Sequence, residues 1–355
     1  MKNNFPNSQA TISLDKLSSN LEALKERVNQ KKVMAVVKSN AYSHGAKPIA
    51  RHVQDQVDYF ATANVDEAIE LRMSGITRPI LVFGVPDYQT AAAYQTHGLT
   101  ATISHLSHFS VLMDGTSYHL NFDTGMGRLG FRPEQADEVR RFAIANSRLI
   151  CSGIYSHYSS AEDGGSQTVY SQQECFKSVL AFFEEVPLIH MSNTGAICNY
   201  SNIDHFDMVR TGSGMLGYNP GIDRYDWLKP VLTWRSRVVQ VRPVSKGDPV
   251  SYSSSWRAPE EGFLATIPVG YADGILRSMS NRLKVAIDGR HYPQVGNVTM
   301  DYVMVFLGSD RIAAGTEVTL MGGEGMDAQQ WAEVGETNAH EIMSNLKNRV
   351  ERVYI

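Results

Sequence analysis

The feature that most constrains this chain is an alternation, over its first two thirds, of short apolar runs with longer amphipathic ones. Candidate strands are Val33–Val37, Tyr59–Ala63, Pro79–Phe83, Leu99–Ile103, Tyr118–Phe122, Ile150–Ser156, Pro187–Met191 and Phe206–Val209. Helical patterns such as DEAIELRMSG and PEQADEVRRFAIAN lie between them, and strand alternating with helix is the pattern of a parallel sheet. Eight β/α units in about two hundred residues predict an α/β fold of the (β/α)8, TIM-like barrel type, whose chemistry would sit at the C-terminal ends of the strands. From about Pro230 the pattern changes to short alternating runs with turn signals and little helix, which predicts a mostly β C-terminal domain. There, KVAIDGRHYPQV reads as a hairpin, because Asp288–Gly289 can take the positive φ angles of a two-residue turn. The closing AHEIMSNLKNRVERVYI reads as a short helix and a strand. The expected organisation is residues 1–10 as an N-terminal segment available to pair with the β-domain, 11–229 as the barrel, and 230–355 as the β-domain.

Composition narrows the function classes. A chain of 355 residues with 43% hydrophobic content can bury a large core. Its net charge of −4 is spread without long like-charge runs, so it offers no basic footprint for nucleic acid and no polybasic face for a membrane. No N-terminal stretch is apolar enough for a signal peptide and no window approaches a membrane span, so the expected location is cytoplasmic. Cys151, Cys175 and Cys198 are odd in number and lack CxxC spacing, which argues against a disulfide framework and a structural zinc site. HEIMSN starts like HExxH, but Ser344 stands where the second histidine belongs. His105, His108 and His119 have no carboxylate cluster around them and read as loop or surface groups. No metal site is expected.

The residues that follow the barrel runs are polar, cationic or glycine-rich: Lys38, then DTGMGR ending at Arg128, then His157, Ser192–Asn193–Thr194, and Arg210–Thr211–Gly212–Ser213–Gly214. Each alone has a plain structural explanation. Lys38, closing the run VMAVVK, could snorkel to water, Arg128 could be a surface charge, His157 a satisfied core histidine and the glycines turn formers. Five strand ends acquiring such residues independently is a weaker explanation than a shared site. RTGSG suits a phosphate cradle, since glycines let backbone N–H groups approach an anion, and Thr194 offers a hydroxyl to the same corner of a barrel. A lysine amine opposite a phosphate corner suits pyridoxal phosphate, whose aldehyde it can bind as a Schiff base. PVGYADG places Tyr271 in a glycine-flanked turn that could be an ordinary β-turn, and VGNVTMD is equally ambiguous.

AVVKSNAYSHG, DTGMGRLGF, MVRTGSGMLG, PVGYADG and VGNVTMD, in this order and spacing, resemble the alanine racemases, and the likeness runs from ISLDKLSSNL to RVERVYI. The resemblance implies a barrel followed by a β-domain, pyridoxal phosphate as cofactor, and a head-to-tail homodimer whose sites borrow residues from the partner's β-domain. Lys38 would be the Schiff-base lysine and the base on the D-side face, with Tyr271 of the other subunit as the opposing base. Arg128 and the backbone of the other subunit's Met300 would contact substrate. Tyr42, Thr194, Gly212 and Ser213 would hold the phosphate, Arg210 would face the pyridine nitrogen, and His157 would hydrogen-bond Arg210. A tyrosine with an ordinary pKa near ~10 is a poor base, so one expectation is that cationic neighbours such as His157 and Arg210 assist Tyr271.

Three positions depart from the common family pattern: Asn121 replaces a lysine that braces the substrate arginine, Asn297 an arginine near the entrance, and His340 a tyrosine near the phosphate. The Asn121 amide, with or without a bound anion, would then be the counterpart of Arg128. Ser43 stands where relatives often have glycine and has no account from sequence. The function implied is interconversion of L- and D-alanine to supply D-alanine for peptidoglycan, with a serine or broad-specificity racemase as the alternative. A decarboxylase on this barrel would need an acidic partner for the pyridine nitrogen, which Arg210 opposes. A non-catalytic cofactor carrier would need neither the β-domain nor Tyr271.

Overall fold

The structure, a computed structural model, describes residues 7–221 and 223–355. The chain divides into two compact units, one of Leu17–Lys229 and one joining the segment up to Lys16 with Pro230–Ile355. Residues 1–6 of the expected N-terminal segment lie outside the described residues. Its remainder enters β1 (Ser8–Ile12), which pairs within the second unit.

The first unit is built on β2 (Lys32–Val36), β3 (Tyr59–Thr62), β4 (Ile80–Val82), β5 (Ala101–Ile103), β6 (Ser117–Asn121), β7 (Ile150–Tyr155), β8 (Ile189–His190) and β9 (Met208–Thr211). These eight strands form one parallel sheet in the order β4-β3-β2-β9-β8-β7-β6-β5. A parallel bridge between Leu81 and Thr100 joins its two ends, with Val82 N–H donating to Thr100 O at 2.9 Å, so the sheet closes into a barrel. Each strand is too short and too apolar to be half-solvated, and β2 is buried at four consecutive positions, as a parallel strand covered on both faces must be. Met34, Val36, Ala61, Leu81, Tyr155 and Met208 pack inside, which makes the barrel a filled core with its polar residues left for the rim.

Two strands sit differently from their sequence reading. The eighth begins at Met208 rather than Phe206, because Phe206 takes φ 55° and breaks the extended run. Arg210 and Thr211 are therefore strand residues rather than loop residues. The seventh shrinks to Ile189–His190, which brings His190 into the barrel wall.

The second unit adds β10 (Leu232–Arg237), β11 (Gln240–Val244), β12 (Pro249–Val250), β13 (Trp256–Arg257), β14 (Gly262–Ile267), β15 (Lys284–Ile287), β16 (Arg290–Val295), β17 (Val303–Gly308), β18 (Glu317–Met321) and β19 (Glu351–Tyr354). Nine strands run in the order β11-β14-β17-β16-β15-β18-β10-β1-β19, while β12 and β13 pair separately. The β15–β16 hairpin turns through Asp288 at φ 50° and Gly289 at φ 75°, the paired positive angles its sequence predicts. Among the described residues no helix is long and apolar enough to cross a membrane, and no group of three or more His, Cys, Asp or Glu is placed to hold a metal ion.

Candidate active site

Strand β2 ends in an unusual turn. Ser39, Asn40, Ala41, Tyr42 and Ser43 all take φ between 51° and 63°, so the chain after Lys38 winds as a short left-handed helix. Each non-glycine residue in that region costs roughly 1–2 kcal/mol, so the turn persists only because its polar groups are well held. Ala41 N–H donates to Val37 O at 2.8 Å, Ser43 N–H to Ser39 O at 2.9 Å and Gly45 N–H to Asn40 O at 2.9 Å. Ser43, at φ 63° and ψ 7°, caps the turn in the conformation that favours glycine, which accounts for the residue left unexplained by sequence. Lys38 itself is half-buried, and its amine has no hydrogen bond or ion pair among the described residues. Burial, then the Arg128 guanidinium, holds that amine below its ordinary value; Arg210 adds to the effect and Glu67 opposes it.

Tyr42 is turned inward by the same geometry and is buried, which raises its hydroxyl to about 12. Its hydroxyl lies against Gly212, where an added Cβ would stand 2.5 Å from the Tyr42 oxygen. The glycine is what lets tyrosine and loop meet. Thr194 Oγ1 accepts long hydrogen bonds from Gly212 N–H at 3.4 Å and Gly214 N–H at 3.3 Å. Ser213 Oγ is buried and has no hydrogen-bond partner among the described residues. Neutral hydroxyls and amides converging on one point, with one hydroxyl unpaired, suit a dianionic phosphate and leave the set otherwise unexplained.

Arg210 stands on β9, the strand paired with β2, two residues before Gly212. It is 3% exposed and meets no carboxylate among the described residues. Nη2 shares its two N–H groups among Ser156 O at 2.8 Å, Met191 O at 2.8 Å and His157 Nδ1 at 3.0 Å, and Nη1 donates to His190 Nδ1 at 2.7 Å. A guanidinium can only donate, so both imidazoles must accept at Nδ1 and carry their protons on Nε2. His190 Nε2 then donates to His119 Nδ1 at 2.9 Å, and the His119 ring is fully buried on β6. The placement of His119 at a loop or surface is thereby corrected: a strand position with alternating apolar neighbours carried it into the barrel. Burial, then the Arg210 charge, pushes both His190 and His157 well below the usual histidine range, and His119 down to about 3. His157 is therefore neutral, which overturns the expectation that it acts as a cation. Burial lowers Arg210 to about 10, leaving it charged at neutral pH.

Arg128 is exposed on the loop after β6, and its guanidinium has no hydrogen bond or ion pair among the described residues. Asp123 organises that loop by accepting from the N–H groups of Gly125, Met126, Gly127 and Arg128 at 2.8–3.2 Å. Burial alone would raise the Asp123 carboxyl, but these four donors together hold it below its ordinary value. The Asn121 amide does not meet Arg128. It donates to Leu129 O at 3.0 Å and braces the backbone beside the arginine.

Tyr271 and Met300 lie on the second unit, 39% and 52% exposed. Their two turns are pressed together: Tyr271 N–H donates to Thr299 O at 3.0 Å and Ala272 N–H to Met300 O at 3.1 Å. An added Cβ on Gly270 would lie 2.2 Å from Thr299 O, so this approach requires glycine. Asp273 ties the turn further, accepting from Gly270 N–H at 2.8 Å and pairing with Arg349 at 3.4 Å. His340 sits in the helix Ala339–Ser344, and Asn297 donates to Tyr252 O at 2.9 Å.

Sequence reasoning missed His190 and Glu67. His190 could have been found only by knowing that β8 ends on it. Glu67 follows Asn64 by three residues, a helix-start signal that says nothing about a site.

The family model for the alanine racemase N-terminal domain matches residues 12–220, and that for the alanine racemase C-terminal domain matches residues 231–354. An alanine racemase of Streptococcus pneumoniae is 36% identical over 361 residues, covering 98% of this chain and 97% of that protein. Among solved structures, alanine racemase from Streptomyces lavendulae superposes with a TM-score of 0.93 at 30% identity over 99% of this chain and 98% of its own. That from Bacillus anthracis with bound L-Ala-P superposes with a TM-score of 0.90 at 30% identity over 99% and 95%. The Bartonella henselae enzyme, with covalently bound pyridoxal phosphate, gives a TM-score of 0.90 at 27% identity over 98% and 99%. With both domain models matched in order over a barrel and a β-unit, and a rim fitted to pyridoxal phosphate, this chain belongs to the alanine racemase family of pyridoxal-phosphate-dependent isomerases.

Proposed function

We propose that this protein interconverts L-alanine and D-alanine by a two-base route. Lys38 serves one face of the substrate Cα, and Tyr271 from a second copy of the chain serves the other. Pyridoxal phosphate, when bound, supplies a conjugated electron sink that acidifies the Cα–H of an amino acid joined to it. Tyr42, Thr194, Gly212 and Ser213 would hold its phosphate, and the Lys38 amine would bind its aldehyde. The single observation that carries the choice of reaction is Arg210, charged, buried, and flanked only by neutral imidazoles and carbonyls. A group that only donates leaves the nitrogen facing it unprotonated. With pyridoxal phosphate bound, Arg210 would thus favour return of the proton to Cα, where reversal of configuration needs only a base on each face.

Lys38 suits its part because a lowered amine pKa keeps a fraction of it neutral. Arg128, without an internal partner, is free to hold the substrate carboxylate. The exposed pair Tyr271 and Met300 supports a homodimer with shared sites, each copy offering its β-unit to the other's barrel. Supply of D-alanine to peptidoglycan in the cytoplasm, where Cys151, Cys175 and Cys198 stay unpaired, completes the reading. The test is Cα–H exchange in D2O across an amino-acid panel. Alanine is expected to exchange fastest, with serine at least about tenfold slower; equal or faster exchange of serine would replace alanine racemase by a broad-specificity racemase.

A further inference from the structure

Glu67 stands on the helix Val65–Met73, whose first turn Asn64 caps by accepting from Glu67 N–H at 2.9 Å. The Glu67 carboxylate is half-buried and turned back onto two backbone amides. Oε1 accepts from Ser39 N–H at 2.6 Å and Oε2 from Ala63 N–H at 2.9 Å. Ala63 follows the last residue of β3, and Ser39 follows Lys38 at the start of the left-handed turn. The Ser39 amide lies too early in that turn to find a carbonyl within it, so Glu67 supplies the acceptor the turn lacks. One side chain thus joins the ends of β2 and β3 and anchors the residue immediately after Lys38.

Charge points the same way. The groups that act on the Lys38 amine are Arg128 from the loop after β6, Arg210 from β9, His157 after β7, and Glu67; His157 is neutral. Glu67 is the one anion among them, set against two arginines.

We infer that Glu67 is the positioning residue of the cofactor lysine: it fixes the left-handed turn on which Lys38 is mounted and offsets the two arginine charges at its amine. This rests on the reading of Lys38 as the lysine that holds pyridoxal phosphate. In the reaction, the clamp would keep the amine aimed across the rim after it has been released from the cofactor and must act as a base.

The test uses the full-length chain freed of cofactor and shown to regain it. Reductive dimethylation by formaldehyde and cyanoborohydride is followed against pH on the peptide that contains Lys38, in wild type, Glu67→Gln and Glu70→Gln. Glu70 lies on the same helix but pairs with Lys47 at 3.1 Å, so its replacement controls for loss of a helix acid. Glu67→Gln is expected to move the labelling midpoint of Lys38 down by about one pH unit, with Glu70→Gln unchanged. Hydrogen exchange of the peptide spanning 37–46 is expected to rise about tenfold in Glu67→Gln and further in Glu67→Ala, with the remaining barrel peptides unaffected. Coincident labelling profiles for wild type and Glu67→Gln, with unchanged exchange at 37–46, would overturn the inference. Failure of the underlying reading is seen separately: after borohydride reduction of the loaded wild type, the cofactor would be found on a lysine other than Lys38.

Discussion

At the scale of single residues, the site is a set of groups kept in states that water would not favour. Ser213 Oγ is buried and unpaired among the described residues, a cost that a phosphate bound as proposed would remove. Ser213→Ala is accordingly expected to weaken cofactor affinity about tenfold or more, while the cofactor-free chain keeps or slightly gains stability. Equilibrium binding and urea unfolding of the same variant check both halves. The buried imidazoles give a pH signature. His119, His157 and His190 are all depressed below the ordinary 6.5, so the unfolded chain binds more protons than the folded one at acid pH. Their contribution to stability is complete above pH 6.5 and is lost as pH falls below it, by about 2 kcal/mol for His119 at pH 5. Urea midpoints measured from pH 7.5 to 5 should fall steeply, and His157→Gln should reduce the slope by about one proton. Such states are hard to read from sequence. His119 looks like any polar residue in an apolar stretch, and only the assembled barrel shows that it accepts a hydrogen bond from His190.

At the scale of elements, legibility follows locality. The β15–β16 hairpin was readable because Asp288–Gly289 decides the turn by its own φ preferences. The parallel strands were readable as apolar runs, but their ends were not: a left-handed Phe206 shifted β9, and that shift turned Arg210 from a loop residue into the buried centre of the wall. The turn after Lys38 was illegible, since five left-handed residues without a glycine contradict local propensity and are sustained by contacts distant in sequence, Glu67 among them. Strand β7 offers a test of how tightly such elements are fitted. A Cβ on Gly153 would fall 2.7 Å from His119 Nε2 and 2.8 Å from two of its ring carbons, and the ring is fully buried between Tyr59 and His190. Gly153→Ala should therefore destabilise the barrel by about 1–3 kcal/mol, read as a lowered urea midpoint. The same substitution at Gly164, where the nearest atom is 3.9 Å away, should change it by less than about 0.5 kcal/mol.

At the scale of the whole molecule, the chain forms two compact units, with Lys38, Arg128, Arg210 and Ser213 on one and Tyr271 and Met300 on the other. In the proposed mechanism a complete site takes Lys38 from one copy and Tyr271 from another. Lys38→Ala and Tyr271→Ala, each inactive alone as homodimers, test this when mixed and allowed to exchange subunits. Random pairing makes half the dimers mixed, each with one intact site, so alanine racemisation should recover to about a quarter of the wild-type rate. A mixture as inactive as its two components, with subunit exchange verified by mass, would contradict the shared site and place both bases within one copy.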